Sequence, residues 1–301
     1  MDKKRVAMST FVFFAMTFIS LHEAFAGAWT VPKNKVWGEY YMKWDYAKEE
    51  FLADGKKRKL TDGNDARSWE FVMEPKIEYG MTDWATGMFS MEYKQSHYKE
   101  YGRPDTWGPF ARKNNGISNI KLGSRIRFLE KPVVMAVQGR VYIYPGYGNF
   151  HGDDPAFTNQ PSLGRGDDAF ELRWLVSKKF DVPLTDAFKL PVYLSAETGY
   201  RWRTRHVAND IPYFIEGGFW PVKGILLKSE IDGYKDHGAT GSIKESYGIW
   251  RIGAVWEVFG GDSILRQGSK LFNLEFDYGM TLWGKNTTAF QEWVLKVDTQ
   301  F

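Results

Sequence analysis

Residues 69–79 read Trp-Glu-Phe-Val-Met-Glu-Pro-Lys-Ile-Glu-Tyr, and apolar and charged side chains alternate along nearly all of it. Trp69, Phe71, Met73, Pro75, Ile77 and Tyr79 fall on one face of an extended chain, with Glu70, Glu74, Lys76 and Glu78 on the other. After a break at Gly-Met-Thr-Asp (80–83) the pattern resumes, Phe89, Met91 and Tyr93 against Ser90, Glu92 and Lys94. Successive side chains of a strand point to opposite faces, so a period of two marks strands. A soluble domain would need further continuous apolar strands or amphipathic helices to build a core against so many half-apolar strands. The inverted arrangement, grease outward to lipid and charge inward to water, needs none.

Twelve alternating segments follow one another, at about 35–47, 69–79, 85–94, 117–129, 133–144, 168–180, 192–203, 211–220, 225–234, 246–258, 271–283 and 293–301. A tilted strand needs roughly 9–11 residues to cross hydrocarbon, which these segments meet or approach. The connections after the second, fourth, sixth, eighth and tenth are mostly short, including Gly80–Asp83, Leu129–Pro132, Asp181–Pro191 and Pro221–Gly224. Those after the first, third and fifth are long and polar. The expected fold is all-β, a closed antiparallel transmembrane β-barrel of twelve strands with long outer loops and short inner turns, ten or fourteen strands remaining open. Pro75, lacking an N–H within a strand, predicts a local bulge.

Both ends of the chain agree with export. Lys3, Lys4 and Arg5 precede an apolar run from Phe11 to Leu21, and Ala24-Phe25-Ala26 forms a cleavage site. That predicts a signal peptide over 1–26 and a barrel over 27–301. Aromatic residues make up 17% of the chain, and Trp and Tyr favour membrane–water boundaries. Cysteine is absent, which excludes disulfides and thiol-ligated metals. Removing Asp2, Lys3, Lys4, Arg5 and Glu23 leaves 37 basic and 35 acidic residues, a balance that points to no nucleic-acid partner. The expected partners are outer-membrane lipids, a small solute, and the barrel assembly machinery, which would meet the C-terminal strand ending in Phe301.

The charges predicted to face inward are sorted along the chain. The middle strands offer a basic wall of Lys121, Arg125, Arg127, Arg140, Arg173, Arg201 and Arg203, with Glu171 and Glu197 nearby. The flanking strands offer an acidic wall of Glu39, Asp45, Glu70, Glu74, Glu78, Glu92, Glu275, Asp277 and Glu292, with Glu230, Asp232, Glu257 and Asp298 in the same phase. Facing walls of opposite sign would set a transverse field that controls which solutes pass. Salt bridges that stiffen a closed barrel are the plainer interpretation, and twelve strands permit either.

Catalytic material is sparse. The mature chain holds His97, His151, His206 and His237, and Ser96 adjoins His97 on a strand, where neighbours face apart. Asp167 and Asp168 with His151 are a speculative alternative. His151–Asp154 and Gly166–Asp168 carry hard oxygen ligands suited to calcium, but a solvated acidic loop is the simpler interpretation. Segment 145–167, with Phe150 and Phe157, could fold into the mouth or stand outside it. No enzyme activity, cofactor or resident metal is expected.

Gly27–Trp44, Glu78–Phe89, Gly116–Phe128 and Ala196–Arg203 resemble a group of bacterial outer-membrane transporters that includes the XagA-like proteins and the phenol-degradation MetA-type channels. The resemblance spans essentially the whole mature chain and rests on tight turns and strand alternation. It implies passage of small, weakly polar molecules and assigns no functional residues. A charged lumen favours polar solutes, which opposes that implication. The expected function is an outer-membrane channel for passive passage of small molecules. A non-conducting structural or scaffold barrel of an envelope or exopolysaccharide export system is the alternative, and an outer-membrane hydrolase is less favoured.

Overall fold

The computed structural model describes residues 27–60, 65–101, 110–145, 161, 163–164, 166–185, 188–204, 207–238, 244–259 and 271–301. Its strands are β1 (Val36–Ala47), β2 (Glu49–Phe51), β3 (Lys57–Lys59), β4 (Asp65–Thr82), β5 (Ala85–Tyr101), β6 (Phe110–Leu129), β7 (Val134–Ile143) and β8 (Ala169–Thr185). They continue as β9 (Phe188–Arg203), β10 (Asn209–Val222), β11 (Ile225–His237), β12 (Ser246–Phe259), β13 (Leu271–Lys285), β14 (Thr287–Thr288) and β15 (Gln291–Gln300). Twelve of them close into one antiparallel barrel, in the order β1-β15-β13-β12-β11-β10-β9-β8-β7-β6-β5-β4. β14, β2 and β3 make a small separate sheet at the long-loop end.

Closure joins the two ends of the barrel. β1 pairs with β15 in unbroken register from Trp37↔Gln300 to Tyr46↔Gln291. Val36 and Phe301 then exchange two backbone hydrogen bonds of 2.9 and 3.0 Å. A closed ring satisfies every strand's donors and acceptors, which an open edge in lipid could not do.

The burial pattern is inverted relative to a soluble sheet. Trp256 is 58% exposed and Phe276 56%, whereas Glu171, Asp210, Asp277 and Glu292 are 0% exposed. Apolar side chains cover the outside, in cross-strand pairs such as Phe170–Trp202 at 5.6 Å and Trp44–Phe71 at 5.2 Å. Such an exterior suits hydrocarbon, and the charged residues occupy the interior because their alternate positions leave them nowhere else.

Three local expectations are corrected. Pro75 makes no bulge: it pairs with Tyr40 in the same register that runs the length of β1 and β4, and β5 keeps one register on both sides of it. One missing donor forfeits a single ladder bond and requires no extra residue. Residues 181–185 and 188–191 are strand rather than a connection, because β8 and β9 pair through Asp181↔Pro191 and Pro183↔Lys189. β7 stops pairing with β8 at Ser177 and β10 stops pairing with β9 at Val192, so the β8–β9 hairpin extends past both neighbours. Finally, β4, β5 and β6 reach well beyond their alternating cores. Their outer ends, around Lys99 and Arg112, are polar on both faces and hydrogen-bond as a ladder where no apolar face is needed.

Candidate functional site: the barrel lumen

Inward-facing positions enclose a cavity of about 1320 Å³. It runs from Glu245, Asn286 and Thr288 at the long-loop end to Gly27, Trp220 and Glu257 at the short-turn end. Of the expected basic residues, Lys121, Arg125, Arg140, Arg173, Arg201 and Arg203 line it. Arg127 does not: it sits at the β5 turn, where it donates to the Asp83 carbonyl at 2.8 Å and approaches Glu130 at 4.0 Å. Of the expected acids, Glu39, Glu70, Glu74, Glu78, Glu92 and Glu275 line the cavity. Asp45, Asp277 and Glu292 are buried behind it.

Ion pairs organise this interior into chains. Glu171 is a hub: it accepts from Arg173 Nε at 2.7 Å, from Arg201 Nε at 2.7 Å and from the Tyr142 hydroxyl at 3.1 Å. The chain continues from Arg173 to Glu197 at 3.2 Å, and from Arg201 through Asp210 and Arg203 to Asp167. The acidic arc is not of one sign, because lysines interrupt it. Lys228 meets Glu216, Glu230 and Glu275 at 2.7–2.9 Å, and Lys296 also reaches Glu275. Arg251 bridges Glu230 and Glu292, Lys94 meets Glu70, Lys76 meets Glu39, and Lys121 joins Glu74 to Glu92. Adjacent strands therefore neutralise one another, and the field across the lumen is weaker than two monochrome walls would set. Pairing of this density relieves the desolvation cost of interior charge.

The short-turn end holds a feature the alternation gave no hint of. Residues 27–32 fold back into the barrel before β1 begins. The N–H of Ala28 donates to Ser177 Oγ at 3.0 Å, that of Val31 donates to Thr86 Oγ1 at 2.9 Å, and Arg125 donates to the Trp29 carbonyl at 2.8 Å. Ala28 and Trp29 pack on Val134, Ala136 and Leu175. Arg125 is itself fixed by Glu78 at 3.2 Å and by Gln138 at 3.1–3.2 Å. A Cβ on Gly80 would stand 2.0 Å from the Pro32 carbonyl oxygen, so this position of β4 must be glycine for the segment to pass. The one sequence signal was Gly27–Pro32 itself, six uncharged residues without a period ahead of the first strand.

The segment covers only part of the end. Its contacts run from β4 to β9, while Trp220, Leu226, Val255 and Glu257 of β10, β11 and β12 line the cavity at the same level. There Trp220 Nε1 donates to Glu257 at 3.1 Å, and Trp220 packs on the cluster of Tyr193, Leu226 and Val255.

The residues weighed for catalysis are scattered. Ser96 points inward and donates to Glu70 at 3.1 Å, whereas the His97 ring stacks on Trp69 at 5.5 Å. His237 Nδ1 lies 3.2 Å from the Tyr200 hydroxyl. Asp167 is held by Arg203, and Asp168 accepts from the Tyr144 N–H at 3.1 Å. His151, His206, the His151–Asp154 stretch, Phe150, Phe157 and residues 1–26 lie outside the described residues.

No family model matches the chain, and no curated protein matches it. Among solved structures, the COG4313 outer membrane channel from Pseudomonas putida F1 is 14% identical with a TM-score of 0.63, covering 94% of this chain and 100% of that one. The translocator domain of the autotransporter NalP from Neisseria meningitidis is 10% identical with a TM-score of 0.41, covering 99% and 95%. The transport unit of the autotransporter AIDA-I from Escherichia coli is 9% identical with a TM-score of 0.43, covering 99% and 98%. At such identities what the first of these shares with the chain is its fold, that of an outer-membrane barrel.

Proposed function

We propose that this protein resides in the outer membrane of a Gram-negative bacterium, delivered by a signal peptide over 1–26, and lets small solutes pass down the barrel. The long-loop end then faces outward and the short-turn end faces the periplasm. The observation that carries the proposal is the cavity of about 1320 Å³ reaching from one end of the barrel to the other, lined by paired charges. A barrel built only as a support would gain more from filling that volume with apolar side chains, since close packing stabilises and buried ion pairs seldom do. Fold likeness to a solved outer membrane channel adds support. Polar walls favour small polar or dipolar solutes over the weakly polar cargo implied by the resemblance to XagA-like and phenol-degradation MetA-type proteins. A non-catalytic role fits the separate settings of His97, stacked on Trp69, and His237, beside the Tyr200 hydroxyl.

One observation favours a second reading. Residues 27–32 occupy half of the short-turn end, and a segment held there permanently would suit a non-conducting scaffold barrel. Single-channel currents from folded protein in planar bilayers separate the two. A channel gives discrete openings whose size rises when residues 28–32 are removed. A support gives silence in both proteins, and that result would overturn the proposal.

A further inference from the structure

Arg140 differs from the cations around it. Its strand position faces the lumen and its side chain lines the cavity, yet among the described residues no carboxylate comes within the 4.0 Å of an ion pair. Register explains why. Arg140 stands opposite Glu171 on β8, the carboxylate that would ordinarily neutralise it. Both oxygens of Glu171 are already taken, Oε1 by Arg173 and Tyr142, Oε2 by Arg201 at 2.7 Å. On the other side Arg140 faces Gly123 of β6, which has no side chain to offer. A Cβ there would stand 2.9 Å from Arg140 Cγ, so the glycine makes room for the arginine's stem.

The outcome is a guanidinium with a fixed fork of donors, held half-buried above the N-terminal segment and turned to the cavity. Half-buried and open to the cavity, this guanidinium meets the fields of Glu171 and Glu197 from beyond ion-pair distance, so its donors are left for a partner that arrives from outside. Guanidinium binds planar oxyanions bidentately and more strongly than neutral acceptors. We propose that Arg140 is an anion-binding station in the lumen and that its ligand is a small monocarboxylate. A single negative charge is specified because Arg173 and Arg201 beside it are already engaged with Glu171, Glu197 and Asp210, which leaves one guanidinium to be matched. The inference narrows the solute class for the channel proposed above and rests on that reading for its physiological meaning, but the binding it states is measurable without flux.

The test is a ligand-observed NMR titration of folded full-length mature protein in detergent, with butyrate, its neutral analogue butyramide, and sulfate as probes. Butyrate should bind, butyramide and sulfate should bind much more weakly, and Arg140→Gln should weaken butyrate by about tenfold or more. Arg140→Lys, which keeps the charge and loses the fork, should fall between. Heat-shifted gel mobility and unchanged far-UV circular dichroism establish that each variant is folded. Equal butyrate affinity in Arg140→Gln, or equal binding of butyrate and butyramide, overturns the station. Liposome swelling on the same samples keeps the two ideas apart. Arg140-dependent binding without swelling would retain the station and reject the channel. Swelling with Arg140-independent binding would do the reverse.

Discussion

At the short-turn end the wall from β4 to β9 and the wall from β10 to β15 use the same alternation to different ends. The first presents Thr86, Ser177 and Ser195, small hydroxyl side chains at inward positions, and Arg125, whose guanidinium reaches a backbone carbonyl. Short polar groups at those points leave room for another piece of chain and hydrogen-bond its backbone. The second presents Trp220, Leu226 and Val255, which fill their own space and ask for no visitor. The contrast shows that occlusion here is written in side-chain size at a few inward positions. The strand count and register are indifferent to it.

The comparison breaks most readily if the guest is taken away. Removing residues 28–32 should raise unit conductance by roughly twofold or more, since a barrel of this size conducts through whatever section its side chains leave. Unchanged conductance would mean the half lined by Trp220 already limits flow. The next largest effect is expected from Arg125→Ala, which strands the buried Glu78 carboxylate and the Trp29 carbonyl. We expect a loss of about 3 kcal/mol in urea unfolding from micelles and a flickering, partly released segment. Glu257→Gln, on the other side, should stay within about 0.5 kcal/mol because its contacts are fewer. Equal losses would show that both halves are fastened alike.

Ser177→Ala removes the acceptor of the Ala28 N–H with little change of volume, and should cost about 1 kcal/mol while raising the time spent open. The smallest effect is reserved for Trp220→Ala. It should widen the unoccupied half and raise conductance modestly without changing the frequency of closures, as read from dwell-time histograms. A change in closure frequency there would mean the two halves communicate.

Much of this architecture was legible in the sequence because a strand's period is two. The inward phase of Glu74, Lys121, Glu171 and Arg201 could be read directly, as could the strand order, since a meander pairs each strand with the next. What escaped had no period. Residues 27–32 lack alternation, and their fate depends on Gly80, Thr86 and Ser177, which look like ordinary strand residues. The sorting of charge is weaker than the alternation suggests, because Lys228, Lys296, Lys76 and Lys94 neutralise the carboxylates beside them. Their effect depends on cross-strand register, and register is a property of strand pairs. The same holds for Arg140, whose isolation follows from two arginines on other strands having claimed its natural partner.

Closure of the ring has one more consequence. The bonds between Val36 and Phe301 join the first-made and last-made parts of the barrel, and Glu292 of β15 lies between Lys43 of β1 at 3.6 Å and Arg251 of β12. Glu292 therefore works as a latch that can engage only once the final strand has arrived. Until then β1 has one bare flank, and no closed interior exists to conduct anything. The order of events during biogenesis is thereby fixed by geometry, with N-terminal residues waiting for C-terminal ones. Loss of a few residues from the end of the chain should accordingly abolish the whole barrel and leave no shortened version of it.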